Sequence, residues 1–297
     1  MKSLLSYDDA LRAIFIKVSM QNGTRRARSG NGGKVMAPSS YSRLGLFNTE
    51  ARIVCSTNVG EEYQIGVWLP FSYRSSNQNY PVLYVTDGDY AFGVATGLVP
   101  SLIGEKEIPE MIVVGIGYNN ITSYGEFGKL RERDLLPRGC KSAPPDSRTP
   151  QFIAFLTKEL FPLIETDYRA SSDDRALYGF SSGGVFALYT MLTQPGLFRR
   201  YIAASCTWPD ASSFLLACEE RYAAQPIHPP VNLYLSVGGL EDSLPGYRAL
   251  TEILRKRNYP GMNLHTQIYD GERHGSGVIS QSFLYGLRAI FQPDVTT

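Results

Sequence analysis

A serine that can act as a nucleophile lies in Gly179-Phe180-Ser181-Ser182-Gly183, which has the pattern G-x-S-x-G. The residues before it, Arg175–Phe180, predict a short buried strand. The residues after it, Ser182–Gln194, predict a helix. A serine on such a strand-to-helix turn is held in strained backbone geometry with its hydroxyl exposed. Ser181 is therefore the candidate nucleophile, and the alternative is a glycine-rich turn whose serine only caps the helix.

A serine hydroxyl needs a base to take its proton, and the chain contains three histidines. His274 lies in a loop between the last predicted strand and the last predicted helix, where it can reach the serine at the edge of a sheet. His228 lies in a rigid proline-rich connection, and His265 alternates with apolar residues in a predicted strand. We therefore expect His274 to be the base, the alternative being a surface loop histidine.

A carboxylate that orients the base is expected between the serine and the histidine, after the predicted strand Val231–Val237. That strand is followed by Gly238-Gly-Leu-Glu241-Asp242. Either acid can fill the role, and Glu241 is favoured because it occupies the G-x-x-acid position. In the alternative interpretation the two acids only place negative charge before the next helix.

Two backbone N–H groups are expected to stabilise the negative oxygen that forms during attack on a carbonyl. Ser182 follows the nucleophile and supplies the first. The second is expected from the turn after the predicted strand Val82–Val85, from Gly88 or Asp89, and we select Asp89.

Composition narrows the class of protein. The chain has 297 residues, of which 43% are hydrophobic and 19% charged, as is usual for a globular enzyme. The net charge of +1 gives no electrostatic reason to expect a nucleic-acid or membrane-surface partner. The four cysteines are scattered without metal-ligand spacing, and no secretory segment or membrane-spanning run is apparent. We expect a cytoplasmic protein without a metal, and the sequence makes no prediction of its oligomeric state.

The predicted elements indicate one large domain. Residues 1–48 are predicted to be a flexible, glycine-rich basic arm with a possible short helix at Tyr7–Val18, and residues 49–297 a single domain. Strands alternate with helices after an antiparallel start, which predicts a mostly parallel sheet with helices on both faces, the α/β-hydrolase fold. The predicted strands are 51–57, 63–70, 82–85, 111–116, 175–180, 201–205, 231–237 and 263–269, and the helices are 90–103, 152–168, 182–194, 243–258 and 276–291.

A long irregular segment is predicted at Tyr118–Pro150, and so long a loop inside a domain is usually functional. Its Arg131 and Arg133 are candidates for contact with an anionic substrate. The alternative is that they form structural salt bridges.

From about residue 50 to the end, the chain resembles the α/β-hydrolase family known as the putative esterases. That family includes siderophore trilactone esterases, S-formylglutathione hydrolases, feruloyl esterases and mycolyltransferases, and the chain is most similar to the siderophore-esterase branch. The motifs that carry the resemblance are Val67–Pro70 with Tyr73, Tyr84–Phe92, Arg133–Pro137, Glu159–Arg169, the serine pentapeptide, Gly238–Glu241 and Gly271–His274.

The resemblance implies hydrolysis of a bulky ester or lactone through an acyl-enzyme, with Ser181 as nucleophile, His274 as base and Glu241 as acid, and with no cofactor. Some members of the branch resemble Ser–His dyads, which leaves the part of Glu241 open. The chain departs from the branch at Cys206-Thr-Trp-Pro209, where Trp208 can wall the substrate pocket or simply pack in a loop. An acyltransferase, cyclase or thioesterase with the same residues is the alternative activity, and a binding module that retains the fold is the non-enzymatic one.

Overall fold

The computed structural model describes residues 45–291. The predictions for residues 1–44 and 292–297, including the short helix at Tyr7–Val18, lie outside the described residues. Asn48, which the sequence assigns to the arm, exchanges hydrogen bonds with Leu69. The division into an arm and a domain stays a prediction.

Within residues 45–291, eight strands form a single sheet in the order β1-β2-β4-β3-β5-β6-β7-β8. They are β1 (Thr49–Ser56), β2 (Glu61–Trp68), β3 (Tyr80–Val85), β4 (Ile112–Tyr118), β5 (Ala170–Phe180), β6 (Arg200–Ala204), β7 (Val231–Gly238) and β8 (Met262–Tyr269). The pairs β1–β2 and β2–β4 are antiparallel, and all other pairs are parallel. The predicted antiparallel start and parallel remainder are confirmed.

Helices cover both faces of the sheet. They are α1 (Gly88–Gly104), α2 (Tyr124–Leu135), α3 (Thr149–Phe155), α4 (Phe161–Asp167), α5 (Ser182–Thr193), α6 (Pro209–Ala223), α7 (Leu244–Arg257) and α8 (Ser276–Phe291), with a π-helical turn at Leu156–Leu160 and a 3₁₀ turn at Phe71–Arg74. Helix α3, the π turn and α4 follow one another without a break. Pro162 has no backbone N–H to donate to the preceding helical turn, and the π turn lies at this point. No helix among the described residues combines the length and apolar character that crossing a bilayer requires.

The core consists of two apolar clusters, one on each face of the sheet. Along β3, Val82 and Tyr84 belong to one cluster, whereas Leu83 and Val85 belong to the other. This alternation follows from the two-residue period of side chains along a strand. Helices α1 and α8 contribute to the second cluster, and the helices between α2 and α7 contribute to the first. Because both faces are covered, the buried parts of the central strands are runs of apolar residues, as in β4 and in the second half of β5.

The prediction of an irregular segment at Tyr118–Pro150 is wrong in part, because it contains α2. Ser123 caps that helix, since its hydroxyl accepts the N–H of Glu126 at 3.2 Å while the Glu126 carboxylate accepts the N–H of Thr122 at 3.0 Å. The apolar Phe127 and Leu130 then face the core. A second helix, α6, fills the interval between β6 and β7, for which the sequence predicted none.

Candidate active site

The turn between β5 and α5 has the strained geometry expected of a nucleophile elbow. Ser181 has φ 59° and ψ −120°, a combination that non-glycine residues rarely adopt. Its N–H donates to the carbonyl of Ala204 on the neighbouring strand at 2.9 Å. The turn is tight: a Cβ on Gly179 would lie 1.9 Å from the carbonyl oxygen of Gly183. The close approach explains why glycine occupies position 179.

The three predicted catalytic side chains meet at the carboxyl edge of the sheet. The Nε2 atom of His274 lies 3.0 Å from the Ser181 hydroxyl oxygen, and its Nδ1 atom lies 2.9 Å from Oε2 of Glu241. An ionised carboxylate only accepts hydrogen bonds, so Nδ1 carries the proton and Nε2 can accept from the serine. Phe180 packs against the imidazole at 4.6 Å between ring centroids. The arrangement can remove a proton from Ser181.

Glu241 is the acid that contacts the imidazole at Nδ1, and several donors hold it in place. Its Oε1 atom accepts from the Ser205 hydroxyl at 2.6 Å and from the Gly238 N–H at 2.8 Å. Its Oε2 atom accepts from the Ser243 hydroxyl at 2.8 Å in addition to His274. Burial opposes ionisation of this carboxyl, but the hydrogen bonds outweigh it and hold the pKa of Glu241 below its ordinary value. A charged Glu241 can stabilise a protonated imidazole.

Ser205 and Ser243 are residues of the candidate site that the sequence analysis missed. Ser205 follows β6 with φ 51° and is fully buried, and Ser243 immediately precedes α7. Serines at strand and helix ends are too common to single out from one sequence. Only the position of Glu241 between them reveals their part in fixing its carboxylate.

A cavity of about 480 Å³ opens above Ser181. Five aromatic side chains of Phe, Tyr and Trp residues contribute to its wall: Tyr90, Tyr124, Phe127, Phe180 and Trp208. Trp208 therefore lies where a bound substrate would touch it. Glu132 and Asp242 add acidic groups to the lining. The other two histidines are elsewhere: His228 packs between Tyr222 and Tyr259, and His265 lies within β8.

The two candidate arginines differ in position. Arg131 lines the cavity, but its guanidinium forms a bidentate ion pair with Asp87, at 2.7 Å from Nε to Oδ1 and 2.8 Å from Nη2 to Oδ2. Arg133 lies outside the cavity lining and pairs with Asp134 at 2.8 Å and Glu61 at 2.8 Å. These ion pairs and the burial of Arg133 favour the alternative that it forms structural salt bridges.

The groups predicted to bind the negative oxygen lie in two neighbouring turns. Ser182 is the first residue of α5. Asp89 lies in the first turn of α1, and its carboxylate accepts the N–H of Tyr118 at 3.2 Å. Asp89 and Gly88 border a separate recess, whereas the next residue, Tyr90, lines both that recess and the catalytic cavity. The choice of Asp89 as second donor stays a prediction.

No group of three or more metal-ligating side chains occurs within residues 45–291. The groups that meet at the site are the hydroxyl of Ser181, the imidazole of His274 and the carboxylate of Glu241.

Comparison with known proteins shows which family the chain belongs to. Residues 56–273 match the family described as "Putative esterase". The chain is 29% identical over 269 residues to the ferri-bacillibactin esterase BesA of Bacillus subtilis, a match that covers 83% of this chain and 90% of the relative. It is 27% identical over 273 residues to the siderophore triacetylfusarinine C esterase of Aspergillus fumigatus, covering 78% and 90% respectively.

The chain is also similar to solved structures of esterases and hydrolases. The BES protein of Bacillus cereus superposes with a TM-score of 0.76 at 28% identity, over 87% of this chain and 100% of that one. The siderophore hydrolase EstA of Aspergillus nidulans gives a TM-score of 0.71 at 25% identity, over 84% and 96% of the two chains. The chain therefore belongs to the putative esterase family and is a carboxylic ester hydrolase with the α/β-hydrolase fold.

Proposed function

We propose that the protein hydrolyses its ester through a Ser181–His274–Glu241 triad and an acyl-enzyme. The observation that carries the proposal is the continuous line of contacts, 3.0 Å from Ser181 Oγ to His274 Nε2 and 2.9 Å from Nδ1 to Glu241 Oε2. The strained backbone at Ser181 supports it, since such geometry presents the hydroxyl to the cavity.

In the first half of the reaction, His274 Nε2 takes the proton of Ser181 while the serine oxygen attacks the ester carbonyl carbon. The carbonyl oxygen becomes negative and is stabilised by the N–H of Ser182 and a second N–H, for which Asp89 is the candidate. The carbon–oxygen bond to the alcohol then breaks, and the alcohol leaves with the proton from His274. Throughout, Glu241 holds the imidazole in orientation and offsets its positive charge.

In the second half, a water molecule gives a proton to His274 and attacks the acyl group on Ser181. Collapse of the second tetrahedral intermediate releases the carboxylic acid and returns the proton to the serine oxygen. The cavity is open to solvent at this point, because 39% of the His274 side chain is exposed. Access of water supports hydrolysis over transfer to another acceptor, since transfer requires its exclusion.

The substrate we propose is a bulky organic ester or lactone of the siderophore type. A cavity of about 480 Å³ with five aromatic wall residues suits a large ligand with flat rings. Two relatives support the same class over most of the chain: one is named a ferri-bacillibactin esterase, at 29% identity, and the other a siderophore triacetylfusarinine C esterase, at 27%.

The predicted cytoplasmic location stays part of the proposal. The four cysteines, Cys55, Cys140, Cys206 and Cys218, are all free thiols. Free thiols are typical of a reducing compartment.

The test is a substrate panel of p-nitrophenyl acyl esters and metal-free and ferric trilactones, assayed with wild type, Ser181→Ala and the control Ser101→Ala. Ser101 is an exposed serine on α1. We expect Ser181→Ala to lose almost all turnover with its fold intact, and Ser101→Ala to behave as wild type. Release of free acid in the presence of added alcohols and amines supports hydrolysis, whereas ester or amide products would indicate an acyltransferase. An intact fold with no turnover of any ester, and no labelling of Ser181 by a fluorophosphonate, would instead indicate a binding module.

A further inference from the structure

One ion pair, between Asp87 and the partly buried Arg131, joins the turn before α1 to helix α2 beside Ser181. Asp87 is the residue before α1, 2% exposed, with a left-handed backbone at φ 55°. Arg131 reaches it from α2, 44 positions along the chain, with two parallel hydrogen bonds of 2.7 and 2.8 Å. Such fork-to-carboxylate pairs fix the relative orientation of both partners.

The same guanidinium also touches the nucleophile elbow. Arg131 Nη1 donates to the Ser182 hydroxyl at 3.1 Å, and Nη2 approaches the Phe180 carbonyl at 3.4 Å. These are the residues on either side of Ser181. One planar group therefore contacts the β3–α1 turn and the β5–α5 turn at once.

The two turns are packed tightly against each other. A Cβ on Gly183 would lie 2.4 Å from the Thr86 hydroxyl oxygen and 3.2 Å from Asp87 Oδ2. Thr86 also donates its N–H to the carbonyl of Tyr178 at 3.1 Å. The turn before α1 and the first turn of α5 are thus in direct contact, and Arg131 contacts residues of both.

We infer that Arg131 is a positioning residue, which through Asp87 and Ser182 sets the spacing of the two N–H donors that stabilise the developing oxyanion. The inference rests on the proposed acyl-enzyme reaction, in which those donors come from these two turns. It replaces the expectation that Arg131 binds an anionic substrate, because both edges of its guanidinium are already occupied by protein oxygens. Donor placement needs to hold to within about 0.5 Å, and a guanidinium that contacts both turns adds to the contacts that restrict their relative movement.

The experiment compares Arg131→Lys with Arg133→Lys. Lysine keeps the positive charge opposite Asp87 but cannot make the two parallel hydrogen bonds of a guanidinium. Arg133 is the matched control: it lies on the same helix, is buried, and makes a comparable fork to Asp134, well away from the elbow. The readouts are kcat and KM for the neutral ester p-nitrophenyl butyrate, with thermal unfolding in parallel. A charge-matched pair, 4-acetoxybenzoate and 4-acetoxybenzamide, reports on anion binding.

For Arg131→Lys we expect kcat to fall by about 10²-fold with little change in KM, as for a misplaced catalytic group. Arg133→Lys is expected to lower the unfolding temperature and keep kcat within about threefold of wild type. The double variant Asp87→Asn/Arg131→Gln removes both charges, so it avoids a buried unpaired ion, and is expected to lose kcat in the same way.

Three outcomes overturn the inference. They are a kcat for Arg131→Lys close to that of wild type, equal losses of kcat in the Arg131 and Arg133 variants that follow their unfolding temperatures, or a rise in KM confined to 4-acetoxybenzoate. The last result would restore a role in binding an anion. Failure of the proposed function itself would appear separately, as turnover that survives Ser181→Ala.

Discussion

The Ser205 hydroxyl donates to Oε1 of Glu241 at 2.6 Å, and this contact ties the end of β6 to the acid that follows β7. Ser205 is fully buried, and its N–H donates to the Ser236 carbonyl on β7 at 2.8 Å. The residue therefore joins the two strands through its backbone and fixes the Glu241 carboxylate through its side chain.

Ser205→Ala is expected to reduce both stability and kcat. A lost buried hydrogen bond to a charged group costs about 1.5–3 kcal/mol, and a less constrained Glu241 orients His274 less well. Chemical denaturation and steady-state kinetics measure the two effects. The control is Ser56→Ala, which removes the buried hydroxyl that accepts the Val59 N–H at 3.1 Å after β1. It is expected to lose stability alone, so an equal loss of kcat in both variants would refute the link between Ser205 and the site.

Glu241→Gln is expected to lower kcat strongly, whereas Asp242→Asn is expected to leave it nearly unchanged. A neutral amide can stabilise the wrong tautomer of His274 and does not offset the imidazolium charge, an effect worth up to about 10⁴-fold in a related triad. Glu241 is the acid within hydrogen-bonding distance of Nδ1, whereas Asp242 lies in the cavity wall. Kinetics with a neutral ester decide the matter. A fully active Glu241→Gln would indicate that the enzyme works as a Ser–His dyad.

The stability of the protein is expected to depend on pH through Glu241. Its folded pKa lies below the ordinary value of 4.5, so ionisation favours the folded state. This contribution is present above pH 4.5 and is lost as the pH falls through the folded pKa. The measurement is denaturant titration of wild type and Glu241→Gln at a series of pH values. The variant is expected to have the lower free energy of unfolding, and the difference from wild type is expected to be largest near neutral pH. A gap that widens in acid would contradict the assignment.

Gly179→Ala is expected to disrupt the elbow. A methyl group 1.9 Å from the Gly183 carbonyl oxygen cannot be accommodated without separating β5 from α5, and such overpacking costs about 1–3 kcal/mol or more. Gly97→Ala in α1 is the matched control, since nothing lies within 4 Å of the position that its methyl group would take. It is expected to be neutral or stabilising by about 0.5–1 kcal/mol. Thermal unfolding of both variants is the measurement, and equal behaviour would be inconsistent with the tight turn.

Much of the fold follows from local patterns, because strands buried on both faces are continuous apolar runs and the helices have clear periodicity. The two helices that escaped prediction, α2 and α6, begin with signals that are easy to overlook. The pair Ser123 and Glu126 has the spacing of a capping box, but glycines at 125 and 128 obscure the helix that follows. Pro209 at the first position of α6 is equally compatible with a loop.

The positions of the three proposed catalytic residues could be predicted because each follows a strand in the order that the fold imposes. The residues that contact and position them could not be predicted from the sequence. Asp87 and Arg131 are 44 positions apart, and nothing in either local sequence indicates that they pair. Arg131 and Arg133 look alike in the sequence, yet α2 directs one toward the elbow and the other toward Glu61 and Asp134. Such long-range pairings depend on the packing of helices against the sheet.

The most direct test of the central claim is to trap the acyl-enzyme. The enzyme is mixed with a slowly hydrolysed p-nitrophenyl ester and quenched in acid, and the site of acylation is mapped by mass spectrometry of the peptides. The account predicts one acyl group per chain on Ser181 of the wild type and none on Ser181→Ala. An acyl group on another residue, or rapid ester turnover by Ser181→Ala, would contradict it.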